Sequence, residues 1–513
     1  LTATLAAAAM ALTGRPVHVV TVNDYLAARD AEEMTPVYAA LGLSVGLIEE
    51  GMEPDARRVA YGADVVYATN KDIAFDWLRD RVAGAAPGGP LARRAAAAHG
   101  DDASRGLLRG LAFALVDEAD SVFIDEARTP LILSGPGRAN FRPETLEAAA
   151  ALADRLERPR DWRLQTGENR AELTEAGRAR LAALGPTDGA LANRVVREEL
   201  ALKALTARWV MRRDEHYLVR DGEVVIIDEY TGRTMPDRFW SDGLHQLVEL
   251  SEGLEPSDGR VTLARTTYQR FFRRYDRLAG MSGTARETAA ELHRVYRLPV
   301  ATLPTHRPSR RRVLPARVHA SAEAKWRDIA EEAGRLRMTG VPVLIGARSV
   351  AASRQASQAL DAAGLSHELL SADQDAEEAE KIGRAGRAGG ITVATNMAGR
   401  GADIKLDEAA RACGGLHVLM SETHDSGRID RQLMGRAGRQ GDPGAFRAIL
   451  SLEDPLLDRM GAWVRGLPPG PWRLWIIAFA RRAAERTHAR MRRDLLRQDE
   501  RLGDALSFSG PED

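Results

Sequence analysis

The sequence predicts an α/β protein with two parallel-sheet regions, an inserted α+β segment and a helical tail. In two separate stretches, short apolar runs alternate with helical segments, which is typical of a doubly wound sheet covered on both faces. The segment between them has charged helical sequence and a hairpin signal instead. The tail has the apolar periodicity of an amphipathic, basic helix.

The first parallel-sheet region opens with LTATLAAAAMAL (Leu1–Leu12), which predicts a helix. Apolar runs bounded by turn residues or helical stretches then predict buried strands. These runs are Val17–Val22, Val45–Glu49, Asp64–Ala68 and Leu111–Val116.

The inserted segment contains strand-like sequence on both sides of Asp221-Gly222, which predicts a β-hairpin. From about Pro308, a second series of apolar runs predicts strands at Pro342–Ala347, Ile391–Thr395, His417–Ser421 and Ala445–Ser451. The tail pattern covers Pro471–Leu502. We therefore expect a first domain at 1–135 and 259–307, an inserted domain at 136–258, a second domain at 308–465 and a helical scaffold at 466–513.

Composition excludes several classes of protein. With 513 residues and 44% hydrophobic residues, the chain is too apolar to be wholly disordered. The formal net charge of −1 argues against a protein that coats nucleic acid through a global basic field. The single cysteine, Cys413, excludes a disulfide framework and a multi-cysteine zinc site. No apolar run reaches the roughly 18 residues of a membrane span.

The stretch LAFALVDEAD (Leu111–Asp120) predicts a buried strand that ends in acidic residues. Ligands bind at the carboxyl ends of parallel strands, and nucleotide hydrolases use acids there to hold Mg²⁺ and to polarise the attacking water. Asp117 is the candidate Mg²⁺ ligand, and Glu118 is the candidate residue that polarises the attacking water. The alternative is a helix start with Asp117 as its cap.

A second candidate segment is RIDRQLMGRAGRQGD (Arg428–Asp442). The QxxGRxGR spacing predicts that Arg436 and Arg439 lie on one face of a helical turn. Two guanidinium groups there could meet the charge that develops on a transferred γ-phosphate, as arginine fingers do. The alternative is a solvated basic surface, against which the intervening glycines argue.

Two further loops complete the pattern. ATNMAGRGADI (Ala394–Ile404) contains Gly399 and Gly401 for close backbone approach, with Arg400 and Asp403 as contacts to nucleotide or to the facing domain. GMSGTA (Gly280–Ala285) is a polar turn between the acids and the arginines. The order of these motifs resembles that of superfamily-two motor ATPases, which implies two RecA-like P-loop domains with ATP between them.

Longer strings resemble the SecA preprotein-translocase ATPase family in collinear order along nearly the whole chain. They are TVNDYLAARD, YATNKDIAFDWLRD, VDEADSVFIDEARTPLILSGP, VVIIDEYTGRTMPDRFWSDGLHQ, TTYQRFFRRYDRLAGMSGTA, ATNMAGRGADI and RIDRQLMGRAGRQGDPG. The resemblance implies an ATP- and Mg²⁺-dependent motor that moves unfolded preproteins through a SecY-type channel. It also implies that the inserted segment is the preprotein cross-linking domain.

Residue roles follow from the same resemblance. It implies Mg²⁺ binding at Asp117, water activation by Glu118, arginine fingers at Arg436 and Arg439, and a nucleotide contact at Asp442. Gly283 and Thr284 would link the nucleotide state to domain motion. For Arg79-Asp80 and for DEART (Asp125–Thr129) we expect hinge or interface roles.

Several features depart from the family pattern. The family reads GEGKT directly before LTA, whereas this sequence begins at Leu1-Thr2-Ala3 and contains no GK[ST]. We therefore expect that the N-terminal part of a longer protein precedes these 513 residues, and that they alone would fail to bind ATP tightly and turn it over. The tail stops before the family's two-helix finger, wing and zinc-binding end, and Gly427 stands where the family has Arg.

The leading hypothesis is a protein-secreting ATPase at the cytoplasmic face of the inner membrane. Its expected partners are a SecY-type channel, unfolded preproteins and an anionic membrane surface, with a homodimer left open and no nucleic acid expected. The alternatives are a nucleic-acid helicase of the same superfamily and a catalytically inactive SecA-like interaction protein.

Overall fold

The computed structural model divides the chain into two compact units. The first comprises Leu1–Leu133 with Ala264–Asp513, and the second comprises Ser134–Leu263. The structure describes residues 2–83, 106–136, 141–165, 170–186, 189–214, 216–220, 222–227, 234–235, 239–240, 243–257, 260–370, 381–395, 401 and 403–506.

The first α/β domain is built on a five-stranded parallel sheet. Its strands, numbered along the whole chain, are β1 (Val17–Thr21), β2 (Val45–Leu47), β3 (Val65–Thr69), β4 (Phe113–Val116) and β12 (Arg277–Gly280). They lie in the order β12-β4-β1-β3-β2. Its helices are α1 (Thr2–Ala11), α2 (Asp24–Ala40), α3 (Pro54–Tyr61), α4 (Asn70–Val82), α9 (Tyr268–Phe272) and α10 (Ala289–Tyr296).

Apolar side chains cover both faces of this sheet. Val17 and Val19 of β1 pack in one cluster with alanines of α1 and α2. Val20 belongs to the opposite cluster, which includes Trp77 of α4 and Phe271 of α9. Because successive strand residues point to opposite faces, continuous apolar runs are what a sheet buried on both sides requires.

The second α/β domain contains a seven-stranded parallel sheet. Its strands are β13 (Arg310–Val313), β14 (Arg317–His319), β15 (Val343–Ala347), β16 (Glu368–Leu370), β17 (Ile391–Thr395), β18 (Leu416–Met420) and β19 (Pro443–Ser451). The order is β13-β19-β18-β15-β17-β16, and β14 also pairs with β19. The helices are α11 (Ala322–Met338), α12 (Val350–Ala362), α13 (Glu408–Ala412) and α14 (Gly427–Met434).

The predicted α/β class is confirmed. Every apolar run that predicts a strand forms one, and the predicted ends differ by at most two residues. The opening helix is also present, as α1.

The C-terminal helix α15 (Trp472–Leu506) contacts both α/β domains. Near its beginning, the Arg473 guanidinium donates to the carbonyl of Val318 (3.0 Å). Near its end, Arg492 pairs with Glu291 of α10 through two hydrogen bonds of 2.7 Å. In the part of the chain that the structure describes, no helix is both long enough and apolar enough to cross a bilayer.

The second compact unit has a core of its own around Trp162, Leu181 and Leu200. β8 (Tyr217–Arg220) and β9 (Glu223–Ile227) form the predicted antiparallel hairpin, and β10 (Thr234–Met235) extends it. A second hairpin joins β6 (Trp162–Gln165) to β7 (Arg170–Leu173). The helices are α5 (Pro143–Ala153), α6 (Glu175–Leu184), α7 (Arg194–Trp209) and α8 (Leu244–Ser251). β5 (Leu131–Pro136) pairs with β11 (Arg260–Thr266).

Candidate active site

The acidic pair follows β4 at the carboxyl edge of the first sheet. Asp117 extends the strand ladder, because its N–H donates to the carbonyl of Val20 (2.8 Å). The chain then turns at Glu118, whose φ of 48° is unusual for a residue with a side chain. The N–H of Ala119 donates to the carbonyl of Met281, just after β12 (2.9 Å). Both carboxylates therefore lie where open parallel sheets bind ligands.

The electrostatics of this pair suit a divalent cation. Burial is the main cause that raises the pKa of Asp117 to about 6, and the Glu118 carboxylate raises it further. The N–H of Glu118 opposes this effect by donating to Asp117 Oδ1 (2.9 Å). Among the residues that the structure describes, no three His, Cys, Asp or Glu side chains are grouped to hold a metal. The two neighbouring carboxylates of Asp117 and Glu118 are a donor set that fits Mg²⁺, because this ion binds through one or two carboxylates and keeps several waters.

The next acidic residue, Asp120, is fully buried and ties the acids to the polar turn after β12. Ser282 Oγ donates to Asp120 Oδ1, and Thr284 Oγ1 donates to Asp120 Oδ2, each over 2.6 Å. The N–H of Thr284 also donates to Ser282 Oγ (3.0 Å). The predicted coupling residue Thr284 is therefore bonded to the motif that carries Asp117 and Glu118.

Two side chains of α14, in the second domain, reach the same aspartate. Gln432 Nε2 donates to Asp120 Oδ2 (2.7 Å). The buried guanidinium of Arg428 donates to Asp120 and to Asp125, both in the first domain. Burial opposes the charge on Arg428, but the carboxylates of Asp125 and Asp120 raise its pKa above the ordinary value. We name Asp120, Asp125, Ser282, Thr284, Arg428 and Gln432 the interdomain network.

The prediction that Arg436 and Arg439 share a helical turn is wrong. α14 ends at Met434, and both arginines lie in the loop that follows. Gly438 has a φ of 65°, and a Cβ there would lie 2.9 Å from the Cβ of Arg311. A left-handed glycine in close contact with a neighbouring strand cannot continue a helix.

Arg439 is held within the second domain. Its Nη1 donates to Asp403 Oδ1 (3.1 Å), and its Nε donates to the carbonyl of Gly435 (3.1 Å). Arg436 is half-buried in the same loop, and its N–H donates to the carbonyl of Leu433 (3.0 Å). Predicted site residues Arg439 and Asp403 are thus in direct contact.

The remaining predicted residues are more dispersed. The carbonyl of Gly401 accepts from Arg29 of α2 (3.3 Å), and a Cβ at Gly401 would lie 2.5 Å from Leu26, so this loop closely approaches the first domain. Asp442 pairs with Arg411 (3.2 Å). Gly283 has no atom within 4 Å of an added Cβ. Gly399 and Arg400 lie outside the described residues.

Sequence reasoning assigned no role to four members of the interdomain network. Asp120, Ser282, Arg428 and Gln432 all lie inside the strings that carry the resemblance. These residues are neighbours in sequence of the predicted site residues, and that adjacency could have indicated them. The spacing of nearby residues does not, however, reveal which distant segments pair. The interface role expected for the DEART string is met by Asp125. Asp80 instead accepts the N–H groups of Leu107 (2.6 Å) and Leu108 (3.0 Å), a local structural role.

Comparisons with known proteins agree with this architecture. The family model of the SecA DEAD-like domain matches residues 1–293, and that of the SecA P-loop domain matches residues 308–413 and 407–464. Protein translocase subunit SecA 2 of Bordetella avium (strain 197N) is 51% identical over 530 residues, covering 100% of this chain and 80% of that protein. Protein translocase subunit SecA 3 of Magnetococcus marinus is 46% identical over 523 residues, covering 99% and 79%.

Solved helicase structures are more distant. Dbp5 of S. cerevisiae bound to RNA and ADP BeF3 shares 11% identity and a TM-score of 0.40, with 94% of this chain and 86% of that chain covered. The two relatives match 99–100% of this chain, and the SecA DEAD-like model covers more than half of the sequence, which is decisive. The chain belongs to the SecA family of protein translocase subunits.

Proposed function

We propose that this chain is the ATP-driven motor subunit of a Sec protein-export machinery. It couples ATP hydrolysis to the movement of unfolded preproteins through a SecY-type channel. The names of its relatives support this assignment, as does the division of polar site residues between two parallel-sheet domains.

The observation that carries the proposal is the interdomain network. Asp120 stands two residues after Glu118, and it accepts hydrogen bonds from Thr284 of its own domain and from Gln432 of the other. Gln432 lies four residues before Arg436. A change in the distance between the domains therefore moves the acids and the arginines relative to each other, which is what a hydrolysis-coupled motor needs.

The site residues divide the chemistry of phosphoryl transfer. Asp117 would hold Mg²⁺, which when bound neutralises phosphate charge. Glu118 orients and polarises the attacking water. Arg436 and Arg439 contact the transferred phosphoryl group, where charge spreads over its oxygens. Asp442 and the Gly399–Asp403 loop contribute further nucleotide contacts, and Gly283 with Thr284 passes the nucleotide state to the network.

The partners follow from the same proposal. The compact unit Ser134–Leu263, with its own core, serves as the preprotein-binding domain. The protein works in the cytoplasm, peripherally on the inner membrane. Whether the protein forms a homodimer is to be measured separately.

An anionic membrane surface is the third partner, and the exposed face of α15 supports it. We define as the cationic stripe the exposed side chains that recur every three or four residues: Trp472, Trp475, Phe479, Arg482, Arg486, Arg490, Arg493 and Arg497. Within the described residues, Arg497 is the only one of these arginines with an ion pair, to Asp494 at 3.8 Å. Aromatic residues beside a row of exposed arginines suit an anionic lipid surface.

Vesicle flotation tests the membrane assignment. The triple change Arg482→Gln, Arg486→Gln and Arg490→Gln should weaken binding to phosphatidylglycerol vesicles by about 100-fold at low salt, at roughly 1 kcal/mol for each arginine. Binding to pure phosphatidylcholine should be weak for both proteins. Equal flotation of the variant and the parent on anionic vesicles would contradict the assignment.

ATPase stimulation tests the motor. The protein expressed from the complete reading frame is assayed alone, with unfolded preprotein and SecY-containing membranes, and with RNA. We expect stimulation by preprotein with membranes, none by RNA, and loss of turnover in Glu118→Gln.

Two results would replace the proposal. Stimulation by RNA alone would identify a nucleic-acid helicase. Specific binding of preprotein or SecY without ATP turnover would identify a non-catalytic interaction protein.

A further inference from the structure

Helix α14, which precedes the arginines, is held at its N-terminal end by α15. Glu485 Oε1 accepts the N–H of Gly427, the first residue of α14, over 2.7 Å. The first N–H groups of a helix have no partner within it, and a carboxylate there also interacts favourably with the helix dipole. Glu485, on a different helix, therefore accepts a hydrogen bond from an N–H group that has no partner within α14.

A second contact lies one turn earlier on α15. Arg481 Nη1 donates to Asp430 Oδ2 (3.2 Å), and Asp430 is only 7% exposed. Asp430 Oδ1 also accepts the N–H of His424 (3.0 Å) and contacts its ring Nδ1 (2.8 Å). Arg481 and Glu485 thus hold the first turn of α14 at two points.

Gly427 leaves room for this arrangement. A Cβ at that position would lie 3.3 Å from Arg481 Cζ and 3.4 Å from its Nε. The absent side chain lets the guanidinium lie against the backbone of α14, next to the N–H that Glu485 accepts.

The held helix carries the residues that connect the two domains. Arg428 follows Gly427 directly, Gln432 lies one turn further on, and Arg436 stands two residues beyond the helix end. α14 has eight residues, a length of about 12 Å. A displacement of its first turn would therefore be transmitted to all three side chains.

We propose that Glu485 is a positioning residue for ATP hydrolysis. Through the N–H of Gly427, and together with Arg481, it fixes α14 so that Arg428 and Gln432 engage Asp120 and Arg436 is presented to the nucleotide. This inference rests on the proposed ATPase function. It adds a residue outside the motifs, on the scaffold helix, to the groups that determine turnover.

Steady-state kinetics of three variants test it, in the protein expressed from the complete reading frame. Glu485→Ala should lower kcat for ATP hydrolysis by about 10- to 100-fold, because small misplacements of reacting groups cost that much, and should leave KM within about threefold of the parent. Glu485→Gln keeps an acceptor oxygen and should retain most of kcat. Thr487→Ala, an exposed neighbour on α15, should be unchanged.

Hydrogen exchange gives a readout that does not depend on turnover. The amides of 427–434 should exchange faster in Glu485→Ala than in Glu485→Gln or Thr487→Ala, while the amides of α11 and α12 keep their protection. Faster exchange throughout the second domain would indicate general destabilisation and would overturn the positioning role.

The outcomes separate this inference from the proposed function. A parent protein without ATP turnover contradicts the function, and exchange at α14 then still decides the role of Glu485. An active parent with an equally active Glu485→Ala variant overturns the inference alone. Unchanged exchange at 427–434 in Glu485→Ala overturns it in either case.

Discussion

The two α/β domains share one architecture but contribute opposite charges to the proposed site. In the first domain, Asp117 and Glu118 follow the end of β4. In the second domain, Arg436 and Arg439 lie in the loop after α14. Neither domain contains both halves. The proposed site therefore depends on the approach of two separately folded sheets.

The contacts that join the domains lie beside the chemical groups. Asp120 and Arg428 are buried and bonded to each other across the domain boundary. Asp117 and Arg436 are only half-buried. Buried groups that are bonded to each other resist movement, while half-buried groups can still meet a ligand. The following changes separate positioning from chemistry, in order of expected size.

Removing Arg428 should have the largest effect on stability. Arg428→Ala leaves Asp120 buried without its cation, which should lower the free energy of unfolding by about 3–5 kcal/mol. Urea unfolding measures the loss. Arg431→Ala is the matched control from the same helix, since its ion pair with Glu287 is exposed and worth less than about 1 kcal/mol. Similar losses in the two variants would show that burial of the network adds nothing.

Removing Arg436 should have the largest effect on turnover. Arg436→Gln should lower kcat by about 100- to 1000-fold if it meets the charge of the transition state. Urea unfolding of the same variant separates a loss of turnover from a loss of folded protein. Arg387→Gln, an exposed arginine of the same domain, serves as the control. A variant with parental kcat would exclude Arg436 from the chemistry.

Weakening the interdomain network from within the first domain should lower the free energy of unfolding by less than removing Arg428. Thr284→Val removes the hydroxyl that donates to Asp120 (2.6 Å), and loss of a hydrogen bond to a charged group costs about 1.5–3 kcal/mol. Thr288→Val, where the hydroxyl bonds only a nearby carbonyl (3.2 Å), should cost about 1 kcal/mol or less. Thermal and urea unfolding compare the two. Equal losses of unfolding free energy in the two variants would show that the hydrogen bond from Thr284 to Asp120 adds no stability.

Each sheet also contains a buried histidine, from which we expect its domain to lose stability in acid. Burial lowers the pKa of His18 in β1 to about 3 and is the main cause that lowers that of His417 in β18 to about 4. The unfolded chain binds a proton below about pH 6.5, whereas these folded histidines remain neutral. Stability is therefore lost as the pH falls below about 6.5.

The sheets can be compared by this dependence. Between about pH 7.5 and about pH 5.5, each histidine should cost about 1.4 kcal/mol of unfolding free energy. His18→Gln and His417→Gln should each remove one such contribution from the pH dependence measured by urea unfolding. An unchanged dependence in either variant would show that the corresponding sheet opens before its histidine is protonated.

Sequence patterns predicted the fold well because the apolar pattern of a buried strand is set by residues that are neighbours in sequence. The runs that became β1, β15 and β17 are apolar throughout, and only a sheet covered on both faces accommodates them. The acids at the end of β4 were found for the same reason, since strand ends are ligand sites in such sheets. The helical turn predicted for Arg436 and Arg439 failed because Gly438 packs against Arg311 of β13, a contact that the local sequence does not contain.

The sequence by itself determined the class of fold, the motif order and the SecA family, because periodicity and long motif strings are properties of neighbouring residues. Only the tertiary structure decided that Arg428 meets Asp120, 308 residues away, and that Glu485 holds the first N–H of α14. Such pairings arise when separately formed elements pack. The buried polar groups that come to face one another must then satisfy one another's charges and hydrogen bonds.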